Sequence, residues 1–260
     1  MLLRVTVWAI LAFLVAPIAI IVLFSFHSSA ALSFPFQGFS FKWYAEIFSN
    51  VQLYRALIKS LVIASLTSLV TLALGATVSL AWLRIGGAGR KAIESMTITP
   101  IALPGLFVGV SLLVLFAQTG IQLSTVTIVI SHVVIALPIL MVAMKARLAL
   151  FDLSLEEAAR DLGASQWQTL AYVTVPLIAP TLISSAILTF AVSFDEFVVT
   201  SFVSGTETTL PMYIWSVMRR TVTPLINAVS TFVLLFSIAM LFAALLVGRL
   251  RRNSALAGRD

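Results

Sequence analysis

Six apolar stretches, each near 20 residues, set what this chain can fold into. They fall at about 5–26, 58–83, 97–117, 126–144, 177–200 and 225–248. About 20 residues of α-helix cross roughly 30 Å of hydrocarbon. In lipid each backbone N–H and C=O needs a partner within the chain, so a stretch of this length crosses as a helix. Composition agrees: the 260 residues are 60% hydrophobic and 10% charged, against about a quarter charged in a soluble domain. The expectation is an all-α polytopic membrane protein with six transmembrane helices, residues 1–260 forming a single domain in the lipid bilayer.

Two stretches need comment. The first, "RVTVWAILAFLVAPIAIIVLFSF" (4–26), starts basic like a secretion signal. Its apolar run is too long for a signal h-region, and no Ala-x-Ala site closely follows, so it reads as a retained helix. The third holds Pro100, Pro104, Gly105 and Gly109, which predicts a kinked or locally unwound span.

Charge sets the orientation. Six spans put both termini on one side. Arg4, Arg84, Arg90, Lys91, Lys145, Arg147, Arg160, Arg249, Arg251, Arg252 and Arg259 lie on that side, eleven of the 16 basic residues. Lys42, Arg55, Lys59, Arg219 and Arg220 lie opposite. The positive-inside rule places both termini and the 145–176 loop in the cytoplasm. The net charge of +6 flanks apolar stretches, so nucleic acid is not expected as a partner. On the outer side, "FSFKWYAEIF" (39–48) suits a short interfacial helix, and "PMYIWSVMRR" (211–220) has a similar character.

The 145–176 loop holds the most polar run of the chain, "LSLEEAARDLGASQW" (153–167). Asp152 or Ser154 can cap a helix, with Glu156 and Glu157 in its first turn, where carboxylates meet the positive end of the dipole. Ala158, Ala159 and Leu162 would form a small apolar face. Gly163 would end or bend the helix through a positive φ. "ASQWQTLAYVTVP" (164–176) supplies a second helical stretch, closed by Pro176. The residues predict a compact helix–Gly–helix element suited to close docking; they do not name its partner.

"EAARDLG" followed by nine residues and "VTVP" resembles the EAA motif of ABC-importer permease subunits of the MetI-like family. Glu157, Ala158, Ala159, Gly163 and Pro176 match at the expected spacing, with Val173 and Val175 in place of the usual Ile and Leu. The resemblance implies the type I importer fold in a bacterial inner membrane. It also implies that Glu156, Glu157, Ala158, Ala159, Arg160, Asp161, Gly163, Ala164 and Pro176 belong to coupling helices that dock on a cytoplasmic ATPase. The implied partners are two ATP-binding subunits, a second homologous permease and a periplasmic substrate-binding protein. ATP and Mg would be bound by the ATPase, this chain carrying no cofactor and no catalytic residue.

"SFDEFVVTSFVSG", "TLP" and "VTPLINAVST" further resemble the PotC-type, spermidine/putrescine branch of that family. Asp195 and Glu196 lie late in the fifth stretch, where carboxylates are costly unless they face water, a partner or the protein interior. At least one is expected to face the translocation cavity; the alternative is that the pair sits at the interface or bonds to Ser193, Thr200 or the partner subunit. Asp195 and Glu196 offer counter-charges to a polyamine, and Phe194, Tyr213 and Trp215 offer cation–π faces. An opine or an amino-acid-like solute such as γ-aminobutyrate suits the same class of importer.

Other chemistries find less support. "GGAGRKA" (86–92) lacks the Gly-Lys-Ser/Thr ending of a nucleotide-binding loop. The chain has no cysteine and two histidines; His27 and His132 make no metal-binding pattern, and His132 reads as a packed, hydrogen-bonded residue. No serine sits in a recognisable nucleophile setting. An ion-driven secondary transporter coupled through Asp195, Glu196 or His132 gives no reason for the EAA loop.

Overall fold

A computed structural model describes residues 2–30, 36–219 and 223–257. Arg220, Val222 and Arg259, used in the sequence reading, lie outside the described residues. Regular structure among the described residues is helical, with one isolated antiparallel bridge between His27 and Phe39. The chain divides into two compact units, Met1–Ile58 with Leu210–Asp260, and Lys59–Thr209.

The first unit holds α1 (Leu2–Ser25), α2 (Lys42–Ser49), the opening turns of α3 (Val51–Arg84), α11 (Leu210–Met218) and α12 (Pro224–Ala257). The most apolar window of α1 has a mean hydropathy of 2.9 and buries none of its residues. A helix apolar on all faces and exposed on all of them suits lipid as its solvent. The short amphipathic α2 folds back on the end of α1. Trp43 Nε1 donates to the His27 carbonyl at 2.7 Å, and Ser25 Oγ lies 2.7 Å from the Tyr44 hydroxyl. Trp43 and Ile47 are buried there, while Phe41 and Phe48 stay exposed. His27 is buried beside the rings of Phe24 and Phe36.

The second unit holds the rest of α3, then α4 (Gly87–Ala102), α5 (Gly105–Thr119), α6 (Thr125–Leu148), α7 (Ser154–Asp161), α8 (Gln166–Thr169), a π-helical turn (Leu170–Thr174), α9 (Val175–Asp195) and α10 (Val198–Val203). The expected break in the third stretch is there: α4 and α5 meet at 109°. Pro104 precedes α5, and Leu103 is extended (φ −90°, ψ 129°), as a residue before proline prefers.

α6 runs through the middle of this unit, started by Ser124, whose hydroxyl accepts from Val126 N–H. Towards its C-terminus Leu140, Met141, Met144 and Leu148 pack with Trp82 of α3 and with Ile178 and Leu182 of α9. Towards its N-terminus Ile128 packs with Ile63 of α3, Val108 and Phe116 of α5, and Val199 and Val203 of α10. Small residues let the backbones approach, as helix packing in lipid requires. A Cβ on Gly75 would lie 2.3 Å from Leu140 Cδ2, and one on Gly109 would lie 3.3 Å from Val199 Cα. Ion pairs tie both ends of the helix group. Lys59 reaches Glu207 at 2.8 Å, and Lys145 reaches Glu94 at 3.2 Å.

Among the described residues, four helical segments are long and apolar enough to cross a membrane: α1, α3, α6 and the continuous run Gln166–Asp195. The bent α4–α5 pair makes a fifth when taken as one span, and the sixth stretch is α12, apolar over Pro224–Ala239. This is compatible with six spans. Two boundaries differ from the sequence reading. α3 starts at Val51 rather than near 58, and its 34 residues extend about 50 Å. The fifth stretch is not one helix over 177–200: it begins at Gln166, stops at Asp195, and resumes as α10.

Candidate functional site

The polar loop is almost wholly helical. Asp152 Oδ1 accepts from Ser154 N–H at 3.0 Å at the start of α7. Its hydrogen bonds to the Ser154 side chain and backbone hold the carboxyl below the usual aspartate range. Gly163 takes φ +89°, which allows a Schellman close. The Gly163 N–H bonds Arg160 C=O at 2.8 Å, and the Ala164 N–H reaches back to Ala159 C=O at 3.0 Å. Ser165 then caps α8, its hydroxyl accepting from Gln168 N–H while the Gln168 side chain accepts from Ser165 N–H.

Pro176 does not close the second stretch, as the sequence had suggested. It sits at the start of α9, where a missing N–H is tolerated. The chain absorbs one extra residue just before it, with the Val175 N–H bonding back to Leu170 C=O in the π turn. Gln166–Asp195 therefore runs as one 30-residue rod. Arg147, near the end of α6, donates from Nε and Nη2 to the Leu177 carbonyl at 3.1 and 2.8 Å, tying the two ends of the loop together.

The candidate coupling residues divide by exposure. Glu157, Ala158, Arg160, Asp161, Gly163 and Pro176 are exposed, and Ala159 and Ala164 are half-buried. Glu156 is buried. Its Oε1 accepts from the Thr174 hydroxyl at 2.5 Å, and its Oε2 lies 3.4 Å from Arg160 Nη2. It braces α7 against the π turn, and both of its carboxylate oxygens are engaged within the loop. Of the apolar face, Ala158 and Leu162 are exposed, Leu162 by 90%, and Ala159 turns partly inward, while Trp167 and Tyr172 are each 79% exposed. Thr174 and these exposed rings escaped the sequence reading; a polar residue one position before "VP" was the only available sign of the brace.

The substrate-path candidates fall in both units. In the second, Asp195 ends α9 and Glu196 leaves the helix (φ −71°, ψ 114°). The pair is therefore not two positions on a continuous helix. Glu196 Oε1 accepts from Val199 N–H at 2.8 Å and caps α10. Phe194 is buried and stacks on Phe190, with ring centroids 6.1 Å apart, so it offers no open face. Asp195 is exposed, and among the described residues nothing in the chain pairs with it. His132 is packed and hydrogen-bonded as expected, its Nδ1 2.7 Å from Ser193 Oγ and its Nε2 2.8 Å from Thr200 Oγ1. The alternative of Ser193 and Thr200 binding the acidic pair fails for the hydroxyls as partners of carboxylates. Thr200 instead donates to the Glu196 carbonyl at 2.7 Å.

In the first unit the Tyr213 hydroxyl accepts from Asn50 Nδ2 at 3.2 Å. Trp215 is 46% exposed and already carries a cation, with the Arg219 guanidinium 5.3 Å from its ring centroid.

Comparison with known proteins gives this geometry its family. The sequence profile described as "Binding-protein-dependent transport system inner membrane component" matches residues 72–252. The spermidine/putrescine transport system permease protein PotC of Escherichia coli (strain K12) is 35% identical over 242 residues, covering 93% of this chain and 91% of the relative. The putrescine transport system permease protein PotI of the same strain is 35% identical over 230 residues, covering 85% and 82%. Among solved structures, a bacterial ABC transporter involved in importing the acidic polysaccharide alginate superposes with a TM-score of 0.72. That match is 17% identical and covers 96% of this chain and 93% of the other, so it bears on the fold alone. The chain belongs to the binding-protein-dependent transport system inner membrane components, the type I ABC-importer permeases, on the PotC branch.

Proposed function

We propose that this chain carries a small polyamine, putrescine or spermidine, across the inner membrane into the cytoplasm, as one permease of an ATP-driven importer. As a permease subunit it is a transport component rather than an enzyme. Two ATPase subunits supply the energy, with ATP and Mg bound there. A second homologous permease and a periplasmic binding protein complete the assembly. The whole chain works as one permease domain, with both termini and the 145–176 coupling loop in the cytoplasm and the acidic break at Asp195 towards the periplasmic side.

One observation carries the reading: α7 offers an exposed acidic and apolar face, and it is braced through Glu156 and Thr174 to a rod that ends at Asp195. A surface fixed in this way passes a push from a docked ATPase into the membrane instead of absorbing it. Exposed Leu162, Trp167 and Tyr172 supply apolar anchors of the kind that dominate docking energy. The similarity to PotC and PotI supports the choice of substrate. A lone carboxylate at the helix end suits an ammonium group.

The test reconstitutes this chain with its ATPase, second permease and binding protein. ATP hydrolysis is followed against putrescine, spermidine, γ-aminobutyrate and an opine, alongside a Glu157→Lys variant. Stimulation by the polyamines, lost in the variant, is the expected result. Stimulation by γ-aminobutyrate or the opine alone would reassign the substrate, and unchanged hydrolysis in the variant would remove the loop from coupling.

A further inference from the structure

A helix broken inside an apolar span leaves carbonyls without intrahelical partners and needs something to hold the gap. Between Asp195 and Val198 the holder comes from another element. His132 of α6 is 1% exposed, and its ring reaches both sides of the break. Ser193 lies within the last turn of α9 and Thr200 within the first turn of α10.

The proton assignment follows from the network. Thr200 Oγ1 donates its hydroxyl proton to the Glu196 carbonyl at 2.7 Å, so it accepts from His132 Nε2–H. Nδ1 is then the acceptor, and Ser193 donates to it. One neutral tautomer satisfies all three groups. α10 is held from other directions too. Thr127 Oγ1 donates to the Val203 carbonyl at 2.8 Å, and Gly109 brings α5 close to Val199 and Phe202. Beside the contacts of Glu196 with Val199 and Thr200, the His132 ring bridges a side chain of α9, Ser193, to one of α10, Thr200.

We propose that His132 is a positioning residue of the transport path, clamping the two halves of the broken span so that Asp195 stays at the exposed C-terminal end of α9 to meet one ammonium group of the substrate. The surroundings set that chemistry. The last carbonyls of α9 give its end a partial negative charge. Glu196 is spent on the Val199 N–H, and Asp195 remains as the carboxylate open to a cation. This rests on the polyamine reading and narrows it: the break holds one ammonium at Asp195, not two at an acidic pair. His132 touches no substrate and acts only through the break.

The experiment uses the reconstituted complex with its binding protein loaded with putrescine, and measures uptake and ATP hydrolysis separately. His132→Leu removes both hydrogen bonds. His132→Gln keeps one donor and one acceptor. Asp195→Asn tests the amine contact by itself. Loss of the clamp is expected to lower uptake about tenfold in His132→Leu, with hydrolysis held within about twofold because the coupling loop is untouched. His132→Gln should recover most of the uptake. A purely structural role would lower both activities together, with no rescue by glutamine, and would overturn the proposal. Uptake unchanged in His132→Leu would overturn it as well.

Asp195→Asn separates this from the polyamine reading. If Asp195→Asn transports normally while the histidine variants behave as expected, the amine contact is refuted and the clamp stands. If Asp195→Asn fails while His132→Leu is normal, the clamp is refuted and the amine contact stands. Should His132→Leu fail to assemble, Thr200→Val removes one arm of the clamp at nearly constant volume. The chain has no cysteine, so Val198→Cys, at a position 40% exposed, reports the break by its alkylation rate. Faster labelling in the Thr200→Val background is expected, and an unchanged rate would overturn the proposal.

Discussion

Glu156 and Glu157 are neighbours in the chain, and their surroundings assign them different work. Glu156 is buried against Thr174 and Arg160, while Glu157 faces outward. A hydrogen bond to a charged group contributes about 1.5–3 kcal/mol, and removing the Glu156 carboxylate also leaves the buried Thr174 hydroxyl without it. Glu156→Ala is therefore expected to loosen the loop, seen as faster amide hydrogen exchange across residues 154–161. Glu156→Gln keeps an acceptor for Thr174 and should lie between that variant and the wild type. Glu157→Ala should leave the exchange unchanged and weaken only the docking of the ATPase. Equal exchange in the two alanine variants would show that the brace does not hold the loop.

Whether an element could be read from the sequence depended on where its cause lies. The helix–Gly–helix of 154–169 is written locally: Asp152 and Ser165 accept hydrogen bonds at the two starts, and Gly163 supplies the φ of +89° that ends α7. Pro104 likewise announces the turn between α4 and α5 from within it. The α9–α10 break has no local proline or glycine. It needs His132, more than 60 positions earlier, and Glu196, a candidate for the translocation cavity whose carboxylate accepts from the Val199 N–H. The π turn was hidden for a related reason, because an i→i+5 bond has no residue signature and Pro176 looked like a stop. At Gly163 the local cause can be measured. A Cβ there meets nothing within 4 Å, so the penalty is only that of the left-handed backbone, roughly 1–2 kcal/mol. Gly163→Ala should speed exchange in α7 and α8 and lower stimulated ATP hydrolysis. Exchange as slow as in the wild type would mean that the Schellman close does not govern the loop.

In the molecule as a whole, the rod Gln166–Asp195 is the part that relates the loop to the break. Thirty residues span about 45 Å of helix, and the π turn is its one irregularity. That turn holds a single surplus residue, and each residue in an α-helix turns the chain by about 100°. Deleting Tyr172 would restore a regular helix. α9 would keep its place through Ile178 and Leu182, which are packed against α6, so α8 and the segment before it would rotate about the rod. Thr174 would stay with α9, while the turn that carries Glu156 would move away from it. Little buried surface changes, because Tyr172 is 79% exposed, and thermal stability should fall only slightly. Binding-protein-stimulated ATP hydrolysis should be lost, since the docking face would point elsewhere while the break at Asp195 remained intact. If the deletion variant still couples hydrolysis to uptake, the phase of the rod is not what transmits the push, and the loop must act through the Arg147 contact with the Leu177 carbonyl instead.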